Sequence, residues 1–280
     1  IVNGVNAVNP MLFANTVINA PTGNANIRYE VKTLSSTVST GFNAAIDALI
    51  YACDHLRSGY LSAIVAGGLE EISYYALLGM ERSGALSKSG VIKPFADNAD
   101  GTVMGEGCAL FLIETEESAK AHGAPVIAEI AGYSSVFDPN SGAIGFNPRG
   151  EGARYAVKEA LAMAGIDAKA IDFIAAGGNG MQSGDAMESA VIRELFGDTP
   201  VCAYKAKTGE CYGASPALSL ACVLADMKNS RITATGGSYA AVNGINLLNR
   251  TIENKTSAYA LITSFTCEGN CACMAIKNRM

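Results

Sequence analysis

With 280 residues, 49% of them hydrophobic and only 16% charged, the chain is long enough to bury a substantial core. Its net charge of −6, with no recurring basic cluster, argues against a nucleic-acid partner. No apolar run reaches the length of a membrane span, and the amino end lacks a basic segment followed by an apolar signal core, so a cytoplasmic protein is expected.

In chain order, the first patterned stretch is Asn26 to Leu34, where apolar and charged residues alternate as in a strand with one buried face. Gly41 to Ser58 reads as a small-residue-rich helix, and Ala63 to Ala66 as a strand running into Gly67-Gly68. Glu106 to Ile113 is a further apolar segment. Strands are expected over 126–130 and 171–175, and helices near 153–164 and 185–196. A second buried helix, Gly213 to Ser230, and a strand, Ile232 to Thr235 into Gly236-Gly237, repeat the design of 41–68. The segment around Cys271 to Ile276 echoes the one around Cys108 to Ile113. Repeated units of alternating strands and helices predict two related α/β halves, placed at 1–124 and 125–280. Helices apolar nearly all round are expected to lie between sheets. Four elements precede the buried helix of the second half, whereas only a glycine- and asparagine-rich stretch precedes that of the first. The first half is therefore expected to be incomplete at its front, through an artificial fragment, processing or a natural split, with exposed strand edges and uncovered faces as the consequence.

Eight cysteines could suggest disulfides, but Cys53, Cys108, Cys202, Cys211 and Cys222 are scattered through apolar segments, where reduced buried thiols are expected. Cys267, Cys271 and Cys273 are close enough to suggest zinc. Their alternation with apolar residues favours a strand, and no metal is expected. The two histidines, His55 at a polar helix end and His122 before Gly123-Ala124, sit in contexts that favour surface roles over catalysis.

Several motifs occur in a fixed order: Val38-Ser39-Thr40-Gly41, Ala66-Gly67-Gly68-Leu69-Glu70, Lys93-Pro94-Phe95, Asp100-Gly101-Thr102-Val103-Met104-Gly105-Glu106-Gly107, the run from Gly177 to Glu188, Lys205-Ala206-Lys207-Thr208-Gly209-Glu210, and Ser264-Phe265-Thr266-Cys267-Glu268-Gly269. Together they resemble the β-ketoacyl synthases, whose motifs include Cys-Ala-Thr-Gly, Ala-Gly-Gly-x-Glu, Asp-Gly-Phe-Val-x-Gly-Glu-Gly, His-Gly-Thr-x-Thr-x-x-x-Asp-x-x-Glu, Lys-x-x-x-Gly-His and Gly-Phe-Gly-Gly. The resemblance implies a thiolase-like, five-layered αβαβα fold. It also implies a catalytic cysteine, which accepts an acyl group, and two histidines, which assist decarboxylation of a malonyl unit and stabilise the enolate oxygen. At the matching positions stand Val38, Gly177 and Glu210. A one-residue shift would put Ser39 in the nucleophile position. Lys205 keeps the family's lysine and could neutralise a buried Glu210 or be solvated with it; Cys267 replaces the gating phenylalanine of the acyl tunnel, beside Phe265.

The function expected from this resemblance is that of a catalytically degenerate, chain-length-factor-like subunit. It would pair with an active ketosynthase as a heterodimer and meet an acyl carrier protein, whose phosphopantetheine carries the substrate; no free cofactor is expected. The family places the strand over 27–34 at the twofold interface, and Arg28 and Lys32 could form a local basic patch toward an acidic carrier. Two alternatives remain: an active acyltransferase using Ser39, or Cys211 beside Glu210, and a purely structural interaction subunit. Sequence neighbours rarely face one another, and a carboxylate raises a thiol's pKa, which weakens the Cys211 variant.

Overall fold

The computed structural model describes residues 9–142, 145–237 and 241–280. It divides into two units, Ile1–Ser39 and Thr40–Met280.

In the first unit, a short 3-10 turn over Pro10–Asn15 is capped by Asn9, whose side chain accepts from the Met11 N–H at 3.0 Å. Helix α1 follows over Ala20–Tyr29, with Pro21 in its first turn and Arg28 in its last. Glu30 ends it in the left-handed conformation, φ 54°, and 31–39 carry no helix or strand. The strand expected over 26–34 is thus replaced by a helix end and irregular chain. Alternation specifies a strand only where one face is buried and a neighbouring strand supplies ladder bonds. Here Ile27 is 80% and Tyr29 76% exposed, so nothing enforces the period of two.

The second unit starts at a 3-10 turn, Gly41–Asn43, which leads into α2 over Ala44–Arg57. Ala45, Ile46, Leu49, Ala52, Cys53 and Leu56 line its buried side. β1 (Ala63–Glu70) pairs antiparallel with β2 (Gly107–Glu114), and α3 (Tyr74–Arg82) lies between them in sequence. After α4 (Glu116–Ala121) come β3 (Ala128–Phe137), α5 (Glu151–Ala164), β4 (Phe173–Ala175), α6 (Gln182–Phe196) and β5 (Val201–Cys202). The short α7 (Lys205–Thr208) and a 3-10 turn at Tyr212–Ala214 lead into α8 (Ser215–Lys228), then β6 (Tyr259–Phe265) and β7 (Asn270–Asn278).

The larger sheet runs β3-β7-β6-β4-β5, with β7 antiparallel to both of its neighbours and β4 parallel to β5 and β6. Residues alternate across it. Leu261, Cys271, Cys273 and Ala275 face α5 and α6, whereas Ala260, Ile262, Ala272, Met274 and Ile276 face a layer made by α2 and α8. On the far side of that helical layer, Ala66, Phe111 and Ile113 bring the β1–β2 sheet into the same core. Four layers therefore follow one another: helices, sheet, helices, sheet. The duplication is visible in local detail, since a 3-10 turn opens both α2 and α8 before each enters a strand pair.

Two further expectations change. Residues 232–235 form no strand; Ile232 makes a single antiparallel bridge to Ile252, and the buried Asp226 carboxylate binds the Thr233 N–H and hydroxyl. A side-chain acceptor thus takes the place of a ladder partner. Cys108, expected to be buried, is an exposed thiol on the outer face of the β1–β2 sheet, while Cys53, Cys202, Cys211, Cys271 and Cys273 are buried and all eight cysteines are free. Among the described residues no group of three His, Cys, Asp or Glu could hold a metal, and no helix is long and apolar enough to cross a membrane.

Candidate functional site

Backbone geometry fixes Glu210 before any side chain acts. Its N–H donates to the Val103 carbonyl at 2.8 Å, and its carbonyl accepts from Gly105 N–H at 3.0 Å. The two strands of chain cross so closely that a Cβ on Gly105 would lie 2.3 Å from the Thr208 carbonyl oxygen. Gly209, at φ 81°, faces the same crossing. Gly105→Ala is expected to cost about 2 kcal/mol or more, because the obstacle is backbone and cannot rotate away. A urea titration with an unchanged m-value and a lowered midpoint would show it.

The Glu210 side chain is fully buried. Lys205 Nζ lies 2.9 Å from Oε2, and Asn179 Nδ2 donates to the same oxygen at 2.7 Å. Ser215 Oγ donates to Oε1 at 2.7 Å and itself accepts from the Cys211 N–H. Every oxygen of this carboxylate is thus engaged, and Lys205 is itself only 8% exposed.

A second buried carboxylate organises the loop that carries Gly177. Glu188, in the second turn of α6, accepts through Oε1 from the Gly177 N–H at 2.9 Å and from the Thr263 hydroxyl. Asp185, one turn earlier, accepts from the backbone N–H groups of Phe95, Asn179 and Gly180 at 2.6, 3.0 and 3.0 Å. Burial pushes Asp185 up to about 6 and Glu188 up to about 7, with the Lys205 charge pulling both back. A Cβ on Gly177 would stand 3.0 Å from the Thr263 carbonyl oxygen and 3.5 Å from Ser264 Cα, so a side chain here needs only a small local shift.

The remaining parts converge on the same region. Ser264 Oγ donates to the buried Asn43 side chain at 2.6 Å, and a Cβ on Gly41 would lie 3.1 Å from Glu268 Oε1. The turn that opens α2 therefore lies against the turn carrying Cys267. It also touches the turn before α8, where Phe42 stacks on Tyr212 with ring centroids 4.6 Å apart. Gly41, Gly177, Glu210 and the Cys267 turn thus surround one region, bridged by Asn43, Asn179, Thr263 and Ser264. Phe265 packs against the core under α5 and α6. Val38 and Ser39 precede Gly41 in sequence and belong to the first unit.

Neither histidine takes part in the contacts that build this region. His122 Nε2 is held by Glu114 at 2.9 Å, and His55 lies in the last turn of α2 against Tyr51. Burial pushes the Cys211 and Cys267 thiols up to about 11, with neighbouring carboxylates adding to the effect. Cys211, fully buried, points its Sγ at the Thr208 carbonyl. These thiols stay protonated near neutrality and are poor nucleophiles. Asn179, Ser215 and Thr263 were not singled out from sequence; for Asn179 a signal existed, since it stands third in the run that begins at Gly177.

Residues 3–119 match the Beta-ketoacyl synthase, N-terminal domain, and residues 127–237 the Beta-ketoacyl synthase, C-terminal domain. The chain belongs to the β-ketoacyl synthase family. It is 30% identical over 241 residues to 3-oxoacyl-[acyl-carrier-protein] synthase 2 of Staphylococcus aureus, covering 83% of this chain and 60% of the relative. A mitochondrial Schizosaccharomyces pombe protein assigned as a 3-oxoacyl-[acyl-carrier-protein] synthase is 32% identical over 229 residues, covering 77% of this chain and 54% of its own length. The chain thus spans little more than half the length of these relatives. Among solved structures, the ishigamide ketosynthase/chain length factor superposes with a TM-score of 0.92 at 26% identity, over 100% of this chain and 70% of that one. A ketosynthase solved with its type II PKS acyl-carrier protein gives 0.92 at 23% identity, over 99% and 71%. The fold of this β-ketoacyl synthase relative is therefore thiolase-like, with α2 and α8 as its central helices.

Proposed function

We propose that this chain is a catalytically degenerate ketosynthase-like subunit of the chain-length-factor type, acting beside an active ketosynthase in the elongation of carrier-bound acyl chains. The observation that carries the reading is the state of Glu210. At the position matched to a histidine of the condensing enzymes stands a carboxylate locked by Lys205, Asn179 and Ser215. An ionised carboxylate only accepts hydrogen bonds, so it repels the enolate oxygen that a condensing site must stabilise. Gly177 offers no ring nitrogen at the second matched position, and Val38 offers no nucleophile at the third. Phe265 and Cys267 belong to the same reading as residues beside an acyl tunnel, as does the division into halves at 1–124 and 125–280.

Retention of the fold without the catalytic groups is what a subunit needs when its surface is used and its chemistry is not. The solved ketosynthase/chain length factor that it resembles supports a heterodimer, and the relatives named as acyl-carrier-protein synthases support a carrier protein as the second partner, its phosphopantetheine bringing the substrate. A cytoplasmic location fits these partners. Copurification from the native cells tests the assembly: an active ketosynthase with an intact cysteine should accompany the chain in stoichiometric amount. A chain that purifies alone and by itself decarboxylates malonyl carrier thioester would instead establish an active acyltransferase.

A further inference from the structure

Backbone bonds shape the turn that carries Cys267. Thr266 N–H donates to the Asn270 carbonyl at 2.9 Å and Gly269 N–H to the Thr266 carbonyl at 3.1 Å, which closes the connection between β6 and β7. The chain leaving β3 grips this turn from outside, since Asp138 N–H donates to the Gly269 carbonyl at 2.8 Å and Gly145 N–H to the Cys267 carbonyl at 2.7 Å. The two segments pack closely, for a Cβ on Gly269, at φ 89°, would collide with Ser141 Oγ.

The Thr266 side chain breaks this pattern of satisfied groups. It is 5% exposed, and among the described residues its buried hydroxyl has no hydrogen-bond partner, a standing cost to folding. It faces a cavity of about 10 Å³, whose polar walls are Thr266, Asp138, Ser141 and Asn147 and whose apolar walls include Phe146 and Met187. That is the space of one water. Asn147 is fully used, since Nδ2 donates to Asp138 Oδ2 at 3.0 Å and to Glu151, and Oδ1 accepts from the Arg149 N–H. The other walls have capacity left. Asp138, itself buried, accepts through Oδ2 from Asn147 and from the Gly152 N–H at 2.9 Å, but through Oδ1 from the Asn140 N–H alone. Ser141 Oγ makes one long contact, 3.4 Å, to the Gly142 carbonyl.

We infer that this cavity is a binding site for one buried water, which accepts from the Thr266 hydroxyl, donates to Asp138 Oδ1 and takes Ser141 Oγ as its third partner. Three partners are what a buried water typically has. Such a water ties the β6–β7 turn to the Asp138–Gly142 segment through side chains, beside the two backbone bonds already there, and so holds the Cys267 turn in place. Thr266 is the residue that creates the site, because its hydroxyl is the donor that the protein leaves unused. None of the lining residues stands at a position matched to a catalytic group. The inference therefore goes beyond the chain-length-factor reading, and its failure would leave that reading untouched.

The experiment compares the full chain with Thr266→Val, which removes the hydroxyl at nearly constant shape, and with Thr266→Ser, which keeps it. Oxygen-17 relaxation dispersion counts the long-lived internal waters, urea titration reads stability, and the alkylation rate of the half-buried Cys267, followed by peptide mass, reads how firmly the turn is held. Thr266→Val should lose one long-lived water and lower the urea midpoint by about 0.3–0.7 M. Its Cys267 should be alkylated about threefold faster or more, as expected when a hydrogen-bonded tie is cut. Thr266→Ser should stay at the parent values in all three. A dry cavity predicts the opposite sign, because valine then removes an unpaired hydroxyl and leaves the protein as stable as the parent or more so. That result, or a lowered midpoint with no water lost, would overturn the inference. Should Thr266→Val fail to fold, Ser141→Ala removes another partner of the same water and carries the same comparison.

Discussion

Lys205→Met should lower the unfolding free energy by about 3–5 kcal/mol, the largest effect expected of any single substitution at this site. Glu210 is fully buried and Lys205 Nζ, at 2.9 Å, is its one cationic partner among the described residues. Removing the ammonium leaves a carboxylate in a low-dielectric site with only neutral donors, Asn179 and Ser215. Attraction within the pair roughly offsets the cost of burying it, so the loss appears only when one partner goes. Lys205→Met combined with Glu210→Gln should therefore recover more than half of the loss. Urea titrations of the two variants decide it. If the single variant is within 0.5 kcal/mol of the parent, an allowance typical of exposed pairs, the ion pair is not buried in solution.

A second large effect should appear with pH. Glu188 is fully buried and raised to about 7, and Asp185 beside it to about 6, burial being the main cause in both. A carboxyl whose folded pKa lies above its unfolded value binds its proton more tightly when folded. Its contribution is complete below the unfolded pKa and is lost as pH rises through the folded one. Stability should accordingly fall between pH 5 and pH 8, with Glu188 accounting for about 2–3 kcal/mol of the drop. Both hydrogen bonds to Glu188 end on Oε1, which a glutamine carbonyl reproduces. Glu188→Gln should flatten the profile and leave the variant more stable than the parent at pH 8. A parent profile that is flat across this range, or a variant that keeps the slope, would assign the burial cost elsewhere.

Much of this architecture is legible in the sequence because its helices and strands answer to local rules. The buried helices α2 and α8 are carried by their near-continuous apolar residues, and the paired echoes around Cys108 and Cys271 reveal the duplication that the strand registers then display pair by pair. Segments whose conformation depends on a neighbour were not legible. The alternation at 26–34 needs a buried face to become a strand, and Ile27 and Tyr29 find none. Ile232 to Thr235 has strand composition, but Asp226 captures the backbone and side chain of Thr233. At the site, sequence shows which residue types replaced cysteine and histidines, and identifies a Lys205–Glu210 pair as one of two possibilities. The roles of Asn179, Ser215 and Thr263 come from contacts between residues up to 86 positions apart, which no local pattern encodes.

The chemistry itself is tested most directly by the intact mass of the full chain after incubation with an acyl-carrier-protein thioester, alone and beside an active ketosynthase. The degenerate site predicts an unchanged mass for this chain in both mixtures, with the acyl group found only on the ketosynthase. A stoichiometric acyl adduct on this chain, lost on Ser39→Ala or Cys211→Ala, would contradict the account and make it an acyltransferase with an unusual nucleophile.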